Sequence, residues 1–227
     1  MSKNMIITID GPAGSGKSTS AKLVAKKLGY TYLDTGAMYR AITYLALKQN
    51  MIRDESSVVR LAQDARLELK FIDGKTEVFL NGEDVTEAIR SYEVNSNVSE
   101  ISVIPGVRKA LVEKQQAIGA NTSIVAEGRD TGTVVFPDAD VKIFLTASLN
   151  ERATRRLKEF QEKGQNLPLE DIEFNIKKRD LIDSSREMSP LVKAKDAIEI
   201  DTSSITIEEE VSLILAKVEE IIKEKQK

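Results

Sequence analysis

The sequence predicts an α/β fold: a five-stranded parallel sheet flanked by helices, with a small antiparallel β/α insertion and a helical hairpin late in the chain. Three observations carry this expectation. Short β-branched runs alternate with helical patterns through roughly the first fifty residues, the rhythm of strands joined by crossover helices. The same rhythm resumes beyond Asn121. Between the two, the apolar period shortens to two, the spacing of half-buried antiparallel strands.

Met5 to Ile9 is an apolar run closed by Asp10 and predicts a buried strand. A glycine-rich loop follows, then a helix with Ala21, Val24, Ala25 and Leu28 on one face and Gly29 as its stop. Tyr30 to Leu33 is the second strand, and Asp34-Thr35-Gly36 leads into a helix with Met38, Ala41, Ile42, Leu45 and Ala46 on its apolar face. Leu67, Leu69 and Phe71 alternate before a turn at Asp73-Gly74; Val78 and Leu80 alternate before Asn81-Gly82. That is a meander of two or three strands, continued by a helix around Ser91 to Ser102. Ser123 to Ala126, Val141 to Leu145 and Ala197 to Ile200 complete the parallel sheet. Thr206 and Glu209 have capping-box spacing for a last helix striped by Val211, Ile214, Leu215, Val218, Ile221 and Ile222.

Composition narrows the chemistry. The 227 residues are 41% hydrophobic and 30% charged, values of a globular chain, and contain neither cysteine nor histidine. Disulfides, thiolate metal sites, Ser-His triads and imidazole acid–base steps are thereby excluded. The net charge of -3 disfavours general nucleic-acid binding. The N-terminal apolar run is too short for a signal peptide, and no stretch approaches the ~20 apolar residues of a membrane span, so a cytoplasmic location is expected.

Gly11-Pro12-Ala13-Gly14-Ser15-Gly16-Lys17-Ser18 matches G-x-x-x-x-G-K-[ST] at each fixed position, with a strand before it and a helix after. Glycines let backbone amides converge on phosphate oxygens, and the helix N-terminus adds positive potential. Lys17 is expected at the β- and γ-phosphates of a nucleoside triphosphate, and the Ser18 hydroxyl on Mg²⁺. A chance Lys-Ser in a glycine-rich turn is the bland alternative, and the strand–loop–helix context weighs against it.

Asp34 to Arg40 closes the second strand, where open parallel sheets bind ligands. Tyr39 and Arg40 there suit an anionic, ring-bearing acceptor, although a capped helix with an amphipathic Tyr explains the residues equally well. Glu127-Gly128-Arg129-Asp130-Thr131-Gly132 sets a charged pair between glycines at the third strand's end, a pattern of close ligand approach, against a structural ion pair in a turn. Arg152, Arg155 and Arg156 precede the loose segment 162–166, and Arg179, Asp183 and Arg186 follow it. An arginine-bearing helical hairpin is what a lid over phosphates requires; a solvated basic face with glutamate partners is its alternative.

Four segments, ITIDGPAGSGKS, LDTGAMYRA, EGRDTGTVVFPDADVKIFL and ERATRRLKEFQEKG, together resemble the bacterial cytidylate kinase family, in register over nearly the whole chain. The resemblance extends to the meander with its NGEDVTEAIR segment, which is similar to the enlarged nucleotide-binding insertion of that family. It implies that Gly11, Pro12, Ala13, Gly14, Ser15, Gly16, Lys17, Ser18 and Thr19 hold the ATP phosphates. It implies that Thr35, Tyr39 and Arg40 belong to the acceptor site, and that Ser99, Arg108, Arg129 and Asp130 hold the monophosphate and read cytosine. Arg179 and Asp183 match sugar contacts that serve ribose and deoxyribose, and Arg155, Arg156 and Arg186 match basic groups that close over the phosphates. Thr35 stands where some members have Ser, and Glu127 where many have Asp, one methylene shorter.

The expected division is a P-loop core of residues 1–35 and 103–227, with a lid about 152–186, and an acceptor region 36–102 holding the inserted subdomain of about 63–102. The expected reaction is transfer of the γ-phosphate of ATP to CMP or dCMP with Mg²⁺, by a monomer that meets small nucleotides rather than nucleic acid or membrane. Phosphoryl transfer suits a chain without histidine, because it rests on positioning and charge neutralisation. Rival readings are a UMP or shikimate kinase, against which the insertion and GRDTGTVVFPDA argue, and an NTP-hydrolysing switch, for which no water-orienting group is evident.

Overall fold

The computed structural model describes residues 4–72, 74–162 and 164–225. Strands β1 (Ile6–Asp10), β2 (Thr31–Asp34), β6 (Ile124–Gly128), β7 (Val141–Thr146) and β8 (Ile198–Asp201) form a parallel sheet in the order β2-β6-β1-β7-β8. The connection from β1 leads to β2, two places away across β6, and the later connections run to the other side through β7 and β8. The chain therefore reverses direction at β1, and the crevice at that strand's carboxyl end is where such sheets bind ligands. The expected five strands are all present, each displaced by a residue or two from its expected bounds.

Helices cover both faces of the sheet. On one face, α1 (Lys17–Leu28) and α8 (Ile207–Lys225) bury Ala21, Val24, Val211, Ile214 and Val218 against Ile7, Ile9, Val125 and Ile143. The other face carries α2 (Thr35–Lys48), α3 (Glu55–Asp64), α4 (Tyr92–Ser102) and α5 (Pro105–Gly119) over Leu33, Ile124 and Ala126. No sequence expectation covers α3 and α5, although Val58, Leu61, Ala62 and Ala65, and Val107, Ala110, Leu111 and Ile118, keep helical spacing and face one core. The capping box of α8 forms as expected, Thr206 N–H donating to Glu209 at 2.8 Å and Glu209 N–H to Thr206 Oγ1 at 3.2 Å.

The meander has three strands, β3 (Leu67–Ile72), β4 (Lys75–Leu80) and β5 (Glu83–Asp84), in an antiparallel sheet. The first turn falls partly on Asp73, outside the described residues, but Ile72 pairs with Lys75 across it. At the second turn Asn81 and Gly82 have φ of 53° and 88°, the left-handed pair that a two-residue hairpin needs. Val78, Leu80, Val85 and Ile89 join the core under α2, so the insertion is packed onto the main body. The helices α6 (Leu149–Glu162) and α7 (Leu169–Ser185) form the expected hairpin and share a small core of Ala153, Ile172 and Ile176.

Candidate active site

Residues 11–16 wrap the carboxyl end of β1 and feed directly into α1, whose first residue is Lys17. Gly14 and Gly16 take φ of 78° and 92°, which a side chain would resist, and so turn the loop's amides inward. Space is tight as well: a Cβ on Gly14 would lie 3.0 Å from the Cβ and carbonyl oxygen of Arg152. Lys17 is buried, with its ammonium donating to the Pro12 carbonyl at 3.1 Å. Burial, and then the neighbouring Arg129, draw its pKa down to about 7, against the pull of Glu127. Ser18 and Thr19 are exposed on the first turn of α1.

Two buried ion clusters lie beyond this loop. In the first, Arg108 of α5 is 1% exposed and donates to Asp130 and, at 2.9 Å, to the Ser102 carbonyl. Its guanidinium lies over the Tyr39 ring at 5.4 Å, and Arg186 approaches the other Asp130 oxygen at 3.7 Å. Burial pushes the Tyr39 phenol up to about 12, so it stays neutral. In the second, Asp183 of α7 accepts from Arg129 at 2.7 Å, with Arg186 at 3.7 Å and Arg179 at 4.0 Å. Arg186 touches both carboxylates and joins the clusters.

A single π-helical turn, Thr131–Val135, follows Asp130, and the carboxylate of Asp10 fixes its start. Asp10 accepts from Thr131 N–H at 2.9 Å, Thr131 Oγ1 at 2.7 Å and Gly132 N–H at 2.7 Å. At the end of β2, Asp34 caps α2 through the Ala37 amide at 2.8 Å and receives Arg40 at 2.9 Å. Burial works against its ionisation, but Arg40 and that amide outweigh it and hold its pKa below the ordinary range. Thr35 Oγ1 donates to the Glu127 carbonyl at 2.7 Å.

Ser99 lines a cavity of about 890 Å³ between α4 and the C-terminal end of α7, with Arg186 on its wall. Arg129, Arg179 and Asp183 thus lie within electrostatic reach of Lys17, and the cluster of Tyr39, Arg108, Asp130 and Arg186 adjoins them through Arg186. Thr35 and Arg40 stand at the end of β2 beside Glu127 and Asp34, and Ser99 lies apart on the cavity that Arg186 also lines. Arg155 and Arg156 pair outside both clusters. Arg155 holds Thr202 after β8, with bonds of 3.0 and 2.6 Å, at the back of the loop near Gly16. Arg156 pairs with Glu159 at 2.5 Å and lies over Phe160, toward solvent.

Sequence reasoning missed Asp10, Tyr32, Thr202 and Glu210 as neighbours of the site. Only Asp10 carried a signal, an acid closing an otherwise apolar strand. Ser20 of α1 donates to the buried Glu210 at 2.5 Å, a contact that joins residues 190 positions apart.

Within the two clusters four arginines, Arg108, Arg129, Arg179 and Arg186, share two carboxylates, Asp130 and Asp183, an excess of positive charge suited to anionic ligands. A glycine-rich loop with a buried lysine at a helix N-terminus, at the reversal point of a parallel sheet, defines a P-loop nucleotide-binding protein. The family model described as cytidylate kinase matches residues 7–220. The cytidylate kinase of Ligilactobacillus salivarius is 52% identical over 221 residues, covering 97% of this chain and 99% of that one. That of Bacillus velezensis is 50% identical over 228 residues, covering all of both. A gluconokinase structure from Sinorhizobium meliloti aligns over both whole chains with a TM-score of 0.50 at 13% identity, a likeness of fold alone. The chain belongs to the cytidylate kinase family and is a kinase.

Proposed function

We propose that this chain transfers the γ-phosphoryl of ATP to the 5′-phosphate of CMP or dCMP, giving ADP and CDP or dCDP. The observation that carries the reading is the Arg108–Asp130–Arg186 cluster, buried beside the Ser99 cavity and joined through Arg186 to the Asp183 cluster that reaches Lys17. A carboxylate held between two arginines presents fixed acceptors and donors, which is what reading the polar edge of a small base demands. Arg129, Arg179 and Asp183 are then the sugar and phosphate contacts, and Thr35, Tyr39 and Arg40 the wall behind the acceptor phosphate.

The donor phosphates lie in the loop of Gly11 to Thr19. Lys17 exchanges the Pro12 carbonyl for a phosphate oxygen, a charge-assisted bond in place of a neutral one. Arginines neutralise charge on the transferring group, and closure of the α6–α7 hairpin excludes water. Arg155 and Arg156 must leave Thr202 and Glu159 to take part in that closure. The acceptor is already a phosphate anion, so no strong base is needed. Its oxygen forms the new bond to phosphorus as the bond to the β-phosphate oxygen breaks.

A divalent cation fits this site in one way. Among the described residues no group of three or more acidic or imidazole ligands could hold a metal by itself, whereas the Ser18 hydroxyl is exposed beside Lys17. Mg²⁺, which keeps several waters and favours phosphate oxygens, suits Ser18 with the nucleotide as partner, and would neutralise charge on the β- and γ-phosphates.

In this reading residues 1–35 and 103–227 are the kinase core, 152–186 its lid and 36–102 the acceptor region. One chain supplies every residue of the site, as a monomer in cytoplasmic pyrimidine nucleotide metabolism requires. The test is ADP release from Mg-ATP with CMP, dCMP, UMP, AMP, GMP, shikimate or no acceptor. Turnover confined to CMP and dCMP supports the assignment; equal release in every tube overturns it in favour of a hydrolytic switch.

A further inference from the structure

The parallel neighbours β2 and β6 place Tyr32 opposite Val125 and Asp34 opposite Glu127. Side chains two apart share a face, so Tyr32 and Glu127 both point into the layer beneath α1. There the Tyr32 hydroxyl donates to Glu127 Oε1 at 2.7 Å, with both residues buried. Glu127 is 4% exposed and lies opposite Ile9 of β1, two residues before the phosphate loop begins, where its charge acts on the Lys17 ammonium. Yet among the described residues Lys17 makes no ion pair with it: the ammonium bonds to the Pro12 carbonyl.

The Tyr32 ring is itself held from two sides. Phe71 of β3 packs on it with centroids 5.3 Å apart and planes at 58°, and Lys22 of α1 lies 5.6 Å from its centre. Phe71 thus brings the inserted sheet against the face of the parallel sheet that carries the phosphate loop.

We infer that Tyr32 is a positioning residue, whose hydroxyl holds the Glu127 carboxylate beside Lys17 but off it, with Phe71 fixing the ring from the inserted sheet. The physical need is clear. Glutamate at a strand end has a longer, freer side chain than aspartate, and a buried carboxylate near a buried ammonium is strongly attracted to it. If Glu127 collapsed onto Lys17, the ammonium intended for a phosphate would already be paired. A hydrogen bond to one carboxylate oxygen stops that swing while leaving the other oxygen available.

The inference rests on the proposed ATP site but not on the acceptor, so the test uses binding alone. Calorimetry with Mg-ATP, without acceptor, is run on the full chain as wild type, Tyr32→Phe, Glu127→Gln and the double variant. Tyr32→Phe is expected to weaken Mg-ATP binding about tenfold, the scale of one charge-assisted hydrogen bond. In the Glu127→Gln background, where no charge can collapse onto Lys17, the same change should alter the affinity less than about twofold. Phe71→Leu, which keeps the hydroxyl but loosens the ring, should weaken binding about threefold by the same route. An unchanged affinity in Tyr32→Phe, or an equal loss in both backgrounds, overturns the inference. Failure of the acceptor assignment would instead appear as wild-type Mg-ATP binding without CMP turnover, and would leave this cycle readable.

Discussion

Arg152 donates from Nη1 to the carbonyl of Ala13 at 3.1 Å, and the same nitrogen meets the Asp180 carboxylate at 2.6 Å. Its Nε donates to Ala147 at 3.2 Å. One side chain on α6 thus ties the phosphate loop to α7 and to the end of β7. Helical spacing alone groups Arg152 with the lid arginines, whereas its bonds make it a support for the loop.

Arg152→Ala should therefore loosen the loop rather than the acceptor site. Losing a mostly buried pair leaves Asp180 and the Ala13 carbonyl without that partner, a cost of about 2 kcal/mol. Urea unfolding should show that loss, and the KM for ATP should rise by about tenfold while the KM for CMP moves little. Arg152→Lys, whose ammonium can serve Ala13 and Asp180 but lacks the separate Nε donor to Ala147, should recover only part of it.

Arg108→Met separates the acceptor cluster from the loop. The substitution fills similar volume but leaves the buried Asp130 with Arg186 at 3.7 Å as its remaining cation. Breaking a buried pair on one side costs about 3–5 kcal/mol. CMP-dependent ADP release should be lost while Mg-ATP binding by calorimetry stays near wild type. Asp130→Asn, which keeps one acceptor oxygen, should lose less stability but a similar share of CMP turnover.

The fold was legible because each parallel strand is a short apolar run followed by a helix whose stripe has one period. α3 and α5 lie outside that expectation although they carry the same spacing, Val58 with Ala62 and Val107 with Leu111, facing a core shared with the meander. In the candidate site, the loop of Gly11 to Ser18 is local in sequence and could be read there, whereas the adjacent Arg129 and Asp130 part to different partners, Asp183 and Arg108. Pairings across the sheet left no trace: Tyr32 reads as a strand residue until β2 and β6 are laid in register beside Glu127. Nor does the spacing of Arg155 and Arg156 reveal that one holds Thr202 and the other faces solvent.

Acid should unfold the molecule partly through Asp183. Burial opposes its ionisation, but Arg129, Arg179 and Arg186 together hold its folded pKa below the unfolded value of 3.8. A depressed carboxylate contributes stability that is fully present above the unfolded pKa and is lost as pH falls through the folded one. Asp34, held down by Arg40, acts in the same direction. Urea midpoints measured from pH 6 downward should fall most steeply below about pH 4. Asp183→Asn should start from a lower midpoint at pH 6 and show a shallower fall; parallel curves for the two proteins would remove Asp183 from the account.

Thr8 offers the opposite case, a polar group the fold would be better without. It lies in the central strand β1 at 0% exposure, and its Oγ1 has no hydrogen-bond partner among the described residues. A Cβ on Gly132 would lie 2.7 Å from that oxygen, so the hydroxyl faces a crowded wall where the π-helical turn begins. Thr8→Val replaces the hydroxyl with a methyl of similar size, removes a desolvated donor and suits a buried parallel strand. The expected gain is about 1 kcal/mol in urea unfolding, with kcat for CMP unchanged because Asp10 still fixes Thr131 and Gly132. A loss of stability in Thr8→Val would mean that the hydroxyl contributes a bond in solution, and that the approach of Gly132 to β1 depends on it.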